Sequence, residues 1–406
     1  MACAEFLHDW FRGRRIDVHL DRLAPGRANV VARVPGRSDG PTLLLAGHTD
    51  TSYSGDPDLD AAGLGAVGPN ERPHAYEIGD DLYGLGAFNM KGGLAAAAIA
   101  LADIATAGGL RGDVLFAGLC GESEKAPAHS PLRPRVGSRY QGRGFGARRF
   151  LAVAQRIDAA VVAGPSAMRV VNAQAGSLFI ELIACGRAAY LGRREGGSTG
   201  PLEAAAALVD GLGTWGRERA ARQRHETGLG VVEPRLTIGA VEGGWSFAPS
   251  TSPGRCHLYV DLRTVPGESQ VGALRELLDR ARELVAGRPG IDLRARVYAR
   301  TRGSETPVSA LLVRTAVSVV ENELGLPASP FPAGSADTTN DTNHFRRRGI
   351  PAIKVGPGGG LGAGPVAITE RGGHVSRDDL VAACRFYVAL AHRLTDHLEA
   401  PGGTPS

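Results

Sequence analysis

Gly47-His48-Thr49-Asp50 closes one apolar run of the chain, and Gly121-Glu122-Ser123-Glu124 closes another. A histidine and two carboxylates at such run ends can take and give protons, so His48, Asp50 and Glu122 are the acid/base candidates. The same residue types also ligate metal ions. Cys120, beside the second motif, adds a thiol that would be a nucleophile if a base activated it. Cysteine is a common buried residue, and structural packing is the role expected of it.

These residues need rigid elements to hold them. Thr42-Leu43-Leu44-Leu45-Ala46, Val114-Leu115-Phe116-Ala117 and Ala159-Ala160-Val161-Val162 are short, continuous and bounded by glycine or polar residues, as strands buried on both faces are. Between the first two lies an alanine-rich helix, Gly93 to Ala107, following a glycine turn. Strand, glycine-rich turn, helix, strand is an α/β unit whose working loops sit at strand ends. From about Gly176 the pattern changes: a strand at Ser177 to Cys185, a helix at Pro201 to Leu212, strands at Arg235 to Val241 and His257 to Leu262, a helix at Val271 to Val285, and a strand at Ile291 to Val297. That βαββαβ order predicts a small open-faced sandwich inserted into the first domain. The α/β pattern then resumes with a helix near Ala310 to Leu324, a strand at Ala352 to Val355 and a last helix from Asp378 to about Leu398. The expected domains are 1–175 with 298–406, and 176–297. There is no internal repeat, and Lys125 to Arg148 and Gly356 to Gly364 read as loops.

Leu82-Tyr83-Gly84-Leu85-Gly86-Ala87-Phe88-Asn89-Met90-Lys91-Gly92-Gly93, taken with the His48 motif, resembles the metal-binding core of the zinc-dependent aminoacylase and carboxypeptidase family, which includes succinyl-diaminopimelate desuccinylase and acetylornithine deacetylase. Leu236 to Gly244 with Asp261-Leu262-Arg263, and Thr339 to Phe345 before Gly349-Ile350-Pro351, follow in family order. The resemblance implies a zinc-exopeptidase-like catalytic domain, an inserted ferredoxin-like lid and dimerisation domain, a homodimer, and a small-molecule substrate. It also implies two metal ions bridged by one carboxylate, a glutamate base, and a lid-domain histidine supplied by the partner subunit.

On that alignment His48 matches a metal ligand and Asp50 the carboxylate that orients it. Asn89 stands where the bridging aspartate belongs, and Gly164 where another metal-binding carboxylate does. Gly121 and Glu122 fall at base and ligand, with no two glutamates adjacent in any register. The closing histidine would fall near Val366 or Thr369, while a shifted register offers His374; loss is the reading adopted. Tyr190 takes the lid-histidine position and Ser246 the usual asparagine position. Two unit charges 4 Å apart interact by ~4 kcal/mol at an effective dielectric of 20, so two dications repel by roughly 16 kcal/mol, which one carboxylate cannot offset. No metal is therefore expected, or zinc at reduced stoichiometry on His48, Glu122 and His374.

The expectation is an enzyme that acts on an N-acylated or amino-acid-like substrate by metal-independent acyl transfer, condensation or rearrangement. His48, Asp50 and Glu122 would be catalytic, and Asn89, Tyr190, Ser246, Arg263 and Asn343 would bind substrate. Two alternatives stand beside it: a zinc-dependent amide hydrolase whose ligands have moved, for example to His374, Asp337 or Asp341, and a non-catalytic binding or dimer-partner subunit.

Composition narrows the rest. With 406 residues, 43% of them hydrophobic and 22% charged, the chain can build two cores. A net charge of +4 could suggest an anionic partner, but Lys91, Lys125 and Lys354 are the only lysines. Nearly all the positive charge is arginine, which fits a GC-rich genome better than a nucleic-acid role, and none is expected. Arg346-Arg347-Arg348 reads as a solvated helix end. Five scattered cysteines without CxxC spacing point to reduced thiols and the cytoplasm. Glu5 and Asp9 interrupt the N-terminal apolar stretch, and no segment reaches the ~18 apolar residues of a membrane span, so no membrane is expected either.

Overall fold

The apolar runs assemble into one sheet. The computed structural model describes residues 1–65, 72–123, 142–154, 156–190, 200–358 and 374–397. Its main sheet has six strands in the order Asp17–Ala24, Arg27–Val34, Val114–Leu119, Leu43–His48, Ala159–Val162, Ala352–Lys354. The last four are mutually parallel, and the first two form an antiparallel hairpin on one side. Continuous apolar strands fit here because helices cover the sheet. Gly92–Ala107 buries Leu94, Leu101 and Ile104 against the sheet and against the helix Arg377–His397. By length and composition, residues 87–107 could cross a membrane, but half of that stretch is buried in the protein, as expected of a core helix.

Close packing at the N-terminal end of this helix depends on a missing side chain. A Cβ on Gly93 would lie 1.8 Å from the Ala163 carbonyl oxygen. Gly93→Ala is therefore expected to push helix from strand and cost at least the ~1–3 kcal/mol of core overpacking, read as a lowered urea midpoint. An unchanged midpoint would show that the helix can slide without penalty.

An N-terminal helix, Ala2–Gly13, was not anticipated. It buries Ala4, Leu7 and Phe11 at helical spacing, and Phe11 packs on Phe116 with ring centroids 5.0 Å apart.

The second sheet has the order Leu236–Gly243, Arg255–Thr264, Gly176–Cys185, Asp292–Thr301, with helices Pro201–Arg222 and Gln270–Val285 packed together on it. Leu178, Ile180, Leu182, Leu258 and Val260 share one core with Leu208, Leu212 and Leu277 of those helices. This is the expected βαββαβ sandwich. Its last strand carries the sheet past residue 297 to Thr301, so the expected boundary falls inside a strand. The first helix runs ten residues beyond Leu212, to Arg222, because Trp215 and Arg219 continue its buried face.

Arg346 corrects the reading of the arginine run. Its guanidinium donates to the Ala352 and Ser304 carbonyls at 2.8–2.9 Å and to Thr306 Oγ1, tying a short helix to the edge of the main sheet. Burial pushes its pKa down to about 9, with Glu305 pulling the other way. Only Arg347 and Arg348 are exposed.

Candidate active site

Parallel pairing brings the acid/base candidates together. His48 is the last residue of its strand and stands in register with Leu119 on the next, so the turn carrying Glu122 opens beside it at the carboxyl ends of the strands. Gly121 makes that turn with φ +74°, a backbone conformation that disfavours side-chain-bearing residues there. A glutamate base at position 121 would therefore be strained in this turn.

His48 Nδ1 donates to the main-chain carbonyl of Asp50 at 2.9 Å. The ring is 3% exposed, and Nε2 faces Asn89 Oδ1 at 3.3 Å and Glu122 Oε2 at 3.7 Å. Ser123 Oγ, which the sequence reading overlooked, stands 3.5 Å from the imidazole and 3.4 Å from Glu122 Oε2. Asp50 has a different task from the one expected. Its carboxylate accepts the main-chain N–H groups of Glu122 and Ser123 at 3.1 and 2.8 Å, and lies 3.9 Å from His48 Nδ1. It fixes the glutamate turn, while its backbone oxygen orients the histidine.

His48, Asn89 and Glu122 line a pocket of 440 Å³, with Gly164, Arg263, Ser335, Thr339 and Lys354 on its other walls. Arg263 comes from the inserted domain; it pairs with Asp261 at 2.7 Å and donates to Thr339 Oγ1 at 2.9 Å. Behind it Arg143, also overlooked, donates to Ser177 Oγ at 2.6 Å and lies 3.5 Å over the Phe179 ring. Burial, and then the charge of Arg263, lowers its pKa to about 10. A larger groove of 780 Å³ lies along the hairpin strands Asp17–Ala24 and Arg27–Val34, but neither His48 nor Glu122 borders it.

Lys354 had no assigned role. It is 5% exposed, donates to the Ser335 carbonyl at 2.6 Å, and runs its stem past Gly164, where a Cβ would meet its Cδ at 3.0 Å. Burial lowers the ammonium pKa to about 8, against the pull of Glu122 and Asp337.

Several expected site residues lie elsewhere. Asn343 is fully buried and spends its amide on the Ala175 carbonyl and Ser304 Oγ, so it clamps two segments and does not border the pocket. Tyr190 is 61% exposed and Ser246 is also exposed; neither borders the pocket within the chain. His374 packs at a tilt against the Tyr83 ring, with Nε2 3.6 Å from Asp81, and is not in the pocket wall. Asp337 accepts from Arg235 and from the Glu233 N–H. Asp341 is not in the main pocket wall but borders, with Glu122 and His344, a small cavity next to it; burial, then Glu122 and Asp50, hold its pKa well above the carboxylate range, while burial lowers His344 to about 4. Cys120 is buried, and desolvation, then the charge of Asp50, raises its pKa to about 11, which disfavours the thiolate that a nucleophile needs. Glu124, the loop residues 125–141, Val366 and Thr369 lie outside the described residues.

The described donors do not fit a carboxylate-bridged metal pair. His48 and Glu122 offer one imidazole and one carboxylate, Asn89 offers an amide, and Gly164 offers nothing. Among the described residues no three His, Cys, Asp or Glu side chains are grouped to hold a metal. Zinc sites normally have at least three protein ligands.

Residues 44–393 match the profile of Peptidase family M20/M25/M40. An acetylornithine deacetylase from Aliivibrio fischeri is 25% identical over 286 residues, covering 70% of this chain and 66% of that protein. The chain thus spans 66–68% of the length of the curated relatives it matches. Among solved structures, the di-peptidase Dug1p from Saccharomyces cerevisiae superposes with a TM-score of 0.69 at 12% identity, over 98% of this chain and 91% of that one. A dinuclear metal-binding peptidase of the M20 family from Bacillus subtilis gives 0.60 at 14% identity, over 97% and 92%. At such identities these structures support the fold alone.

Proposed function

The chain belongs to Peptidase family M20/M25/M40, and on that premise we propose that it is an enzyme cleaving the amide bond of a small N-acylated, amino-acid-like substrate. Kinship to a family of peptidases and to acetylornithine deacetylases supports hydrolysis ahead of the condensation or rearrangement first expected from the altered residues. The observation that carries the reading is the meeting of His48 Nε2 with Glu122, 3.7 Å apart in a pocket at the strand ends.

In this reading Glu122 takes a proton from water as its oxygen adds to the acyl carbon. His48, carrying a proton on each ring nitrogen, gives the one on Nε2 to the leaving nitrogen as the C–N bond breaks. Transfer of the proton from Glu122 to His48 restores both groups, leaving a carboxylic acid and an amine. Asn89 and Ser123 orient the two groups, and Arg263, backed by Arg143, receives a substrate carboxylate. Exposed apolar side chains on the inserted domain, Val241, Trp245, Phe247 and Tyr190, support a homodimer formed there. Free cysteines support the cytoplasmic expectation.

Two measurements test the proposal together. Zinc-loaded, dialysed protein is expected to carry well below two equivalents of metal by elemental analysis and still to release amine from a panel of N-acetyl amino acids and dipeptides. Two tight equivalents would return the chain to two-metal chemistry. Bound metal well below that, with no amine released from any amide, would favour acyl transfer, which the altered Asn89 and Gly164 positions support.

A further inference from the structure

We propose that Lys354 is the built-in cation of the catalytic pocket: its ammonium, held by the Ser335 carbonyl beside side-chain-free Gly164, binds the acyl oxygen of the substrate as negative charge develops on it. The oxyanion role rests on the amide-hydrolase reading; the placement of the cation does not.

Three observations converge on it. Lys354, Ser335, His48, Glu122 and Asn89 line one pocket, so the lysine, the carbonyl that holds its ammonium and the acid/base pair border the same space. The parallel register sets Lys354 opposite Val162, and its stem crosses the position that a side chain on Gly164 would fill. An ammonium has three donors, and the single hydrogen bond described for this one goes to Ser335. It is held in place with capacity left for a ligand. Arginine carries nearly all the positive charge of the chain, and Lys354 is one of only three lysines among its 46 Lys and Arg residues. A compact point charge suits one developing oxygen anion better than a planar fork does.

The same position explains why the pocket does not suit a metal pair. A cation fixed to its wall repels any metal ion brought in, beyond the loss of ligands at Asn89 and Gly164. Electrostatic stabilisation of a developing oxyanion is a large term in acyl transfer, and removing one donor typically costs about 10²–10³ in kcat.

The test has two arms. In the first, zinc alone is titrated into Asn89→Asp/Gly164→Glu with Lys354 retained, and into the same variant with Lys354→Gln or Lys354→Met. Removing the ammonium should tighten zinc binding at least tenfold; equal affinity with and without it would overturn the proposal. In the second, Lys354→Gln in the otherwise unaltered protein should lower kcat about 10²-fold on a hydrolysed N-acetyl amino acid, with KM little changed. Raised KM with unchanged kcat would make Lys354 a ground-state substrate ligand and end the oxyanion role. Gln keeps a donor for Ser335 and guards against simple unfolding, which circular dichroism of each variant checks. If the native protein hydrolyses no amide, the hydrolase reading fails, and the zinc arm still decides whether Lys354 holds the cationic position.

Discussion

Glu122→Gln is expected to lower amide turnover by about 10²–10⁴-fold while leaving the fold intact, because it removes the group that takes the proton from water. Its side chain is 14% exposed and its turn is held through main-chain N–H groups by Asp50, so the amide can occupy the same place. His48→Ala should cost as much or more: it removes the proton donor to the leaving nitrogen and the partner that discharges Glu122. Because the two act as one relay, the double variant should be scarcely slower than the worse single one. Asp50→Asn separates positioning from chemistry, since it weakens the grip on the Glu122–Ser123 turn and leaves both reacting groups in place. A smaller loss than for Glu122→Gln is the expected result, with kcat and KM both affected. Chelators should not change the native rate. Complete inhibition by a chelator, reversed by zinc, would place a metal at the centre of the reaction and sink the relay.

Arg219→Met should give the largest stability loss in the inserted domain, about 3–5 kcal/mol, as removal of one member of a buried ion pair does. Arg219 is 2% exposed, pairs with Glu268, and donates to the main-chain carbonyl of Arg263 at 3.0 Å. Glu268 in turn accepts the Val265 N–H at 2.9 Å, so the pair anchors the segment immediately following Arg263. Met keeps much of the packed volume, leaving the uncompensated carboxylate as the main cost. Arg219→Met/Glu268→Leu should therefore be less destabilising than the single change, by urea unfolding of the same preparation. A single-variant loss below about 1 kcal/mol would show that Glu268 finds water as a substitute partner. Since Arg263 lines the pocket, the same variant should also raise KM for carboxylate-bearing substrates.

The strand and helix order was legible in the chain because it rests on local interactions. Continuous apolar runs such as Leu43–His48 stay buried whichever strands flank them, and glycine breaks mark their ends, so the α/β pattern and the βαββαβ insertion follow from neighbours in sequence. His48 and Glu122 were legible for a related reason: each follows an apolar run, and parallel strands leave their carboxyl ends on one edge. Tertiary structure alone decided which polar groups meet there. Lys354 is 190 residues from Gly164 in sequence, and only the pairing of Ala352–Lys354 with Ala159–Val162 sets its stem beside that glycine. Asp50 was assigned to the histidine, yet its carboxylate is taken by two main-chain N–H groups that a distant strand delivers. Asn343 and Arg346 read as substrate ligand and solvated end, but buried carbonyls needed donors and these side chains were in reach. Local sequence carries the periodicity that builds elements. The partner of a buried charge is fixed only when elements far apart in the chain close around it.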